Sequence, residues 1–124
     1  MDARPRTPGP RVRRRAHPFG AAAVDLTDLQ QQIRATYGER DRERGVDATF
    51  GWFVEEVGEL SRAIRRQGHD ERVQEFTDVL AWLVSLADLT GVDLGDAVRR
   101  RYGDGCPKCT RSPCRCEAEP SADT

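Results

Sequence analysis

The segment FGWFVEEVGELSRAIRRQGHDERVQEFTDVLAWLVSLADL, residues 50–89, carries the clearest architectural signal in this chain. Apolar residues recur along it at the spacing of a helix face, and Gly68 interrupts the pattern once. The alternation of apolar and polar residues that marks a strand is not found. The segment therefore predicts two helices joined by a short turn, and two helices so connected pack antiparallel.

Helix-start and helix-stop residues delimit four helices in the whole chain. The predicted helices span about residues 25–44, 47–66, 69–90 and 93–102, with Asp47 and Asp93 as N-caps. The predicted fold class is all-α, an antiparallel bundle of four helices.

The length of the chain, 124 residues, allows one small folded domain. Residues 1–23 are rich in Arg and Pro and are predicted to be a disordered basic arm, and residues 117–124 a disordered polar tail. The remaining stretch of about 90 residues makes a core so small that we expect further burial between subunits. Oligomerisation to a homodimer or homotetramer would then complete the bundle.

Charge and hydropathy limit where the protein acts. The net charge is −1, so no global field favours nucleic acid or a membrane as partner. The basic arm is not followed by an apolar run long enough for a signal peptide or a membrane span. We therefore expect a cytoplasmic protein.

Four carboxylates lie in the two central helices as pairs spaced three residues apart, Glu56 with Glu59 and Glu75 with Asp78. A helical wheel places both pairs on strips beside the main apolar face, whereas Glu55 points away from that face. Antiparallel packing would bring the four together, and their charges would repel unless a cation binds. All-oxygen ligands suit Mg²⁺, with Mn²⁺ as an alternative. Iron is disfavoured because the Glu-x-x-His motif of di-iron bundles is missing, and ordinary solvated acids are the competing interpretation.

The motifs EEVGEL (residues 55–60) and EFTDVLAWLVSLADLTGVDL (residues 75–94) resemble the MazG-like all-α nucleotide pyrophosphohydrolases. The signature of that family is E-E-x-x-E, a variable gap and E-x-x-D, and the likeness extends over about residues 25–116. The resemblance implies a MazG-like helical domain at residues 24–103. It also implies Mg²⁺-dependent hydrolysis of a nucleoside triphosphate, or dNTP, at the α–β phosphate bond. The products would be a monophosphate and pyrophosphate, for cleaning or control of a nucleotide pool.

The resemblance further implies roles for single residues. A catalytic set holding the magnesium ions would consist of Glu56, Glu59, Glu75 and Asp78. Glu55 matches the first acid of the signature. Asp88 stands where many relatives carry Asn, and it would either add a metal ligand or weaken a phosphate contact. Hydrolysis of phosphoribosyl-ATP stays open as an alternative within the same superfamily.

Substrate contacts are predicted on two other groups of residues. Arg99, Arg100 and Arg101 follow one another at the end of the fourth helix, where they can bind phosphate or simply complete the helix end. Trp52 lies one turn before the first acid pair and Trp82 one turn after the second. An indole at such a place can stack on a nucleobase, although buried core packing is the common alternative.

The cysteines form a cluster of their own. Cys106, Cys109, Cys114 and Cys116 follow the pattern C-x-x-C-x4-C-x-C, which suits a tetrahedral structural Zn²⁺. Residues 104–116 are therefore predicted to be a zinc knuckle. Disulfides are disfavoured without a secretory signal, and free or redox-active thiols are the alternative.

A second functional hypothesis comes from a different class. In it the chain is a non-catalytic module that binds nucleic acid or protein through the basic arm and the knuckle. Four clustered carboxylates have no use in such a scaffold, so the enzyme is the favoured interpretation and nucleic acid is an improbable partner.

Overall fold

A computed structural model describes residues 19–20 and 23–117, and within them it contains helices and no strands. There are four helices: α1 (Leu26–Arg44), α2 (Val46–Arg66), α3 (His69–Leu89) and α4 (Leu94–Tyr102). The prediction of an all-α chain with four helices is confirmed. The predicted basic arm and polar tail lie outside the described residues, apart from residues 19, 20, 23 and 117.

The boundaries of the helices follow from local chemistry. The carboxylate of Asp25 accepts a hydrogen bond from the N–H of Asp28 (2.7 Å) and so caps the start of α1. Gly45 alone separates α1 from α2, with φ at 84°, in the region that favours glycine. The predicted N-cap at Asp47 is wrong, because α2 already begins at Val46 and Asp47 lies in its first turn.

The first three helices pack on one another, with α3 in contact with both α2 and α1. They belong to a compact unit that ends at Leu94, and a second compact unit begins at Gly95. Nearly all of α4 lies in the second unit, and its packing as a fourth helix of the bundle stays a prediction. No helix among the described residues combines the length and apolarity that a bilayer span requires.

The interior of the three-helix unit is partly polar. Its buried apolar side chains are few: Ile33, Ala63, Trp82, Val84 and Ala87. Buried polar side chains accompany them: Gln30, Asp41, Thr49, Glu56, Glu75 and Ser85. The strip that carries the acids thus faces inward in the single chain.

The apolar stripes of α2 and α3 lie on the opposite side and are exposed to a large extent. This exposed apolar face comprises Phe50, Val54, Val57, Ile64, Val73, Phe76, Leu80 and Leu83. Phe50 is 54% exposed and Phe76 is 55% exposed, and these values are unusual for aromatic side chains that belong to a hydrophobic core. Within the described part of a single copy, this most hydrophobic surface is therefore largely exposed.

Candidate metal centre

Three acids converge between α2 and α3. Glu56, Glu75 and Asp78 each offer a carboxylate oxygen, and these oxygens all lie within 4.8 Å of one another. Glu56 and Glu75 are buried and Asp78 is half-buried. The convergence of these three predicted ligands is what the helical wheels and the antiparallel pairing indicated.

The sequence places these side chains through two simple features. Glu75 and Asp78 are spaced three residues apart, so they lie on one face of α3. The short connection between Arg66 and His69 folds α3 back along α2, which sets Glu56 opposite them. Ala63, with 0% exposure, shares the strip of Glu56 and is small enough to let the helices approach.

The donor set fits a hard divalent cation. Carboxylate oxygens are the preferred ligands of Mg²⁺, and several negative charges so close together gain most from a doubly charged ion. The Oε2 atom of Glu75 is buried and accepts no hydrogen bond from the described residues, although the carboxylate has other interactions. We conclude that the residues present are suited to hold such a metal.

The two remaining acids of the signature behave differently. Glu59 lies one turn after Glu56 and is half-buried, but it is not a member of the group whose oxygens are mutually within 4.8 Å. Its role as a fourth ligand stays a prediction. Glu55 is exposed, as the helical wheel indicated.

The two tryptophans lie together beside the acids. Their rings are stacked, with centroids 6.2 Å apart and planes inclined by 17°. Trp82 is 1% exposed, and the guanidinium of Arg44 lies 4.9 Å from its ring centroid. Trp52, Arg44 and the core surround the ring of Trp82, which favours the alternative of core packing, and its stacking on a base stays a prediction. Trp52 is half-buried, and its contact with a base stays a prediction.

A buried polar network at the end of α1 was not predicted. The Nη1 atom of Arg44 donates to Asp41 Oδ1 (2.8 Å) and to Thr49 Oγ1 (3.3 Å), and Thr49 in turn donates to the carbonyl of Gly45 (2.7 Å). The spacing of Asp41 and Arg44 is a visible signal of a pair. Its burial, and the contact with Trp82, come only from the packing of three helices.

Asp88 takes part in an ion pair outside the acidic cluster. Both Nε and Nη2 of Arg34 lie within 2.6 Å of Asp88 Oδ1, and the Asp88 side chain is only 15% exposed. Arg34 and Asp88 also line a cavity of about 250 Å³ together with Thr27, Gln30, Gln31, Gly91, Val92 and Asp93. Asp88 is not in the cluster of three acids, so the idea that it adds a metal ligand there has no support from this arrangement.

The three consecutive arginines of α4 lie in the second compact unit, which begins at Gly95. Arg99 and Arg100 both pair with Asp96, at 2.5 Å and 2.9 Å, and the Arg101 guanidinium lies 5.7 Å from the Tyr102 ring centroid. The hydrogen bond from Arg99 is the main reason why the pKa of Asp96 is lowered. Phosphate binding by these arginines stays a prediction.

The cysteines also converge, again within the second unit. Cys106, Cys109, Cys114 and Cys116 each offer a sulfur atom, and the four atoms lie within 4.8 Å of one another. Hydrogen bonds from the backbone N–H groups of Cys109 and Lys108 lower the pKa of Cys106 to about 6. The neighbouring thiols, above all Cys114, raise the pKa of Cys116 to about 12.

A sequence profile of the MazG nucleotide pyrophosphohydrolase domain matches residues 44–103. This chain belongs to the MazG family. The matched range runs from the last residue of α1 to one residue beyond α4, and it contains all four predicted acids. MazG membership indicates nucleotide pyrophosphohydrolase activity in general and leaves the substrate open.

A curated relative supports the same MazG assignment. It is described as "Uncharacterized protein YvdC" from Bacillus subtilis (strain 168) and is 30% identical over 93 residues. The aligned part covers 61% of this chain and 88% of the relative. Its description assigns no activity.

Proposed function

We propose that this MazG protein hydrolyses a nucleoside triphosphate, ribo or deoxy, between the α- and β-phosphates. The products are a nucleoside monophosphate and pyrophosphate, and the reaction removes or limits one component of a nucleotide pool. The observation that carries this proposal is the convergence of Glu56, Glu75 and Asp78 on the inner side of α2 and α3.

The acids would hold Mg²⁺, whose charge would offset that of the substrate phosphates. Glu56, Glu75 and Asp78 are the ligands that the geometry supports best, with Glu59 as a predicted fourth. When bound, the metal polarises the phosphoryl oxygens and lowers the pKa of the attacking water. The protein itself fixes the positions of the three carboxylates, because they stand on two packed helices. These side chains therefore need to move little during the reaction.

The stacked tryptophans support the rigidity of the site. Trp82 lies one turn after Asp78 on α3, and its contacts with Trp52 and Arg44 connect all three helices next to the acids. A fixed aromatic core beside the ligands limits the conformations that the carboxylates can adopt. Trp52, the more exposed of the two rings, is the better candidate for a contact with the base of the substrate.

The test is a panel of nucleoside triphosphates and their deoxy forms, incubated with purified protein with and without Mg²⁺. Pyrophosphate and orthophosphate are measured separately. We expect pyrophosphate release that requires the metal, with Mn²⁺ as a partial substitute. Release of orthophosphate alone would contradict the proposed bond cleavage.

Matched variants connect the activity to the acids. Glu75→Gln and Asp78→Asn keep the shape of each side chain and remove its charge, and each should lower the rate by about 100-fold or more. Glu55→Gln makes the same change on the exposed side of α2 and should leave the rate close to wild type. If Glu55→Gln and Asp78→Asn lower the rate equally, the acidic cluster is not the active site.

We also propose that a second copy of the chain covers the exposed apolar face of α2 and α3. The face is uncharged, so two copies related by a twofold axis can bury it against itself. Supporting this, the described interior of one copy holds only five buried apolar side chains, fewer than the eight that the exposed face comprises. A homodimer, or a tetramer built from such dimers, would supply the burial that one copy does not have.

A further inference from the structure

The segment from Gly103 to Glu117 is folded without a hydrophobic core. None of its residues is buried, and neither is any residue of α4, which precedes it. The segment nevertheless follows a defined path of tight turns. A peptide of this length and composition does not hold such a shape by apolar burial, so another source of stability is required.

The backbone of this segment is shaped around the sulfurs. Gly105 has φ at 96°, and a Cβ atom there would lie 2.8 Å from the carbonyl carbon of Arg111. Thr110 is also in the left-handed region, with φ at 58°. The N–H of Cys106 donates to Arg111 O (3.0 Å), and the N–H of Thr110 donates to Cys106 O (2.7 Å). These bonds close a narrow loop that brings the first two cysteines to face the last two.

The four sulfur atoms lie close enough together to share one metal ion. Cys106 Sγ lies 3.6 Å from Cys116 Sγ, and Cys109 Sγ lies 3.9 Å from Cys114 Sγ. Four thiolates around one zinc ion, at Zn–S distances of about 2.3 Å, would be separated by roughly 3.8 Å from each other. A disulfide would need about 2.05 Å. These two separations match those between ligands of one shared zinc ion and are too long for a disulfide bond in either pair.

Backbone donors further favour thiolates at these positions. The N–H of Arg115 donates to Cys109 Sγ (3.3 Å), and the N–H of Cys116 lies 3.4 Å from Cys114 Sγ. Such bonds stabilise negative charge on sulfur, which is the form that binds a metal.

We propose that Cys106, Cys109, Cys114 and Cys116 bind one Zn²⁺ ion and that this ion holds residues 103–117 in their fold. Four protein ligands leave no open coordination position, so the site is structural rather than catalytic. The proposal does not depend on pyrophosphate release, since it concerns a separate set of residues with its own readout.

The experiment begins with the full chain, purified without chelators, and measures zinc, iron and free thiols per chain. We expect about one zinc per chain. Native mass spectrometry should show the mass of one zinc ion and the loss of the thiol protons. Replacement by Co²⁺ should give the strong visible bands of tetrahedral thiolate coordination.

Variants identify the ligands. Cys109→Ser and Cys114→Ser should each lose most of the zinc, whereas Lys108→Ala, in the same loop, should keep it. After chelation, amide hydrogen exchange should accelerate within residues 103–117 while the exchange of α1, α2 and α3 is retained. This second readout separates loss of the site from general unfolding.

Three results would overturn the proposal. One is a zinc-free chain with two disulfides, recognised by a mass lower by four hydrogens and by the absence of free thiols. Another is iron with acid-labile sulfide in place of zinc. The third is full zinc content in both cysteine variants.

Discussion

Arg34 of α1 and Asp88 of α3 form an ion pair across the bundle, with Arg34 Nη2 2.5 Å from Asp88 Oδ1. The two residues are 54 positions apart in sequence, and α3 places Asp88 ten residues after Asp78. Asp78 and Asp88, both on α3, thus have different roles. Asp78 belongs to the candidate metal centre, and Asp88 joins α3 to α1.

This division predicts different effects for two matched variants. Asp88→Asn should keep most of the metal-dependent pyrophosphate release, because it weakens only the pair with Arg34. Asp78→Asn should lose nearly all of it. Thermal unfolding at low and high salt provides the structural readout, since the contribution of a pair with an exposed arginine is screened by salt. Equal losses of activity in the two variants would contradict this division and indicate that Asp88 also belongs to the catalytic site.

Gln30 fixes the chain after α3. Its Nε2 donates to Val92 O (2.7 Å), its Oε1 accepts from the N–H of Leu94 (3.0 Å), and the residue is buried. Gln30→Ala removes both partners and should lower the free energy of unfolding by about 1–3 kcal/mol. Amide exchange at Leu94 should accelerate more than exchange within α2. Gln31→Ala, at an exposed neighbouring position, is the control and should change little.

Asp41 and Arg44 form a nearly buried pair at the end of α1, with side chains that are 3% and 13% exposed. Asp41→Ala leaves the guanidinium without its carboxylate in a poorly hydrated place. We expect a loss of about 3–5 kcal/mol in denaturant unfolding. Tryptophan fluorescence should change as well, because Arg44 lies over Trp82. Glu43→Ala, on the exposed side of the same helix, is the control and should leave the free energy of unfolding nearly unchanged. If it lowers the free energy of unfolding as much as Asp41→Ala does, the buried pair is not the cause of the loss.

Asp96 in the first turn of α4 provides a prediction about pH. Its pKa is lowered below 3.8, first by the hydrogen bond from Arg99 and then by the charges nearby. A lowered pKa means that the stabilising contribution is present above the ordinary value and is lost as pH falls through the folded value. An NMR titration of the Asp96 carboxyl carbon should show this shift. Arg99→Ala should raise the pKa toward the ordinary value, whereas Arg101→Ala should not.

The proposed second copy predicts an effect of charge on assembly. Val57→Glu places a carboxylate in the middle of the exposed apolar face and should reduce the mass measured by light scattering to that of one chain. Arg62→Glu introduces the same group at an exposed position about 140° around α2 and should leave the mass unchanged. Circular dichroism verifies that both variants stay helical.

A wild-type chain that is monomeric at high concentration would contradict the proposal for this face. So would an oligomer whose mass is the same with and without Val57→Glu.

The helices could be predicted from the sequence because their signals are local. The period of apolar residues and the glycines at 45 and 68 place the boundaries within a few residues. The same periodicity put Glu56, Glu75 and Asp78 on strips that meet, and the cysteine spacing indicated a cluster. The boundary at Asp47 was wrong because a single glycine suffices to connect α1 and α2.

Long-range pairings could not be predicted in this way. Arg34 with Asp88 and Arg44 with Trp82 join residues whose separation in the chain gives no signal. The same is true of Gln30, which looks like Gln31 and Gln32 in the sequence and is buried only because the chain after α3 returns to α1.

The sequence by itself determined that this chain is helical, that its acids lie beside an apolar stripe on each central helix, and that four thiols lie close together. Only the tertiary structure decided which side of those helices is the interior. Periodicity defines a face but not what covers it. Because α1 packs over the polar strip, Glu56 and Trp82 are buried, and the most apolar side chains are left for a second surface.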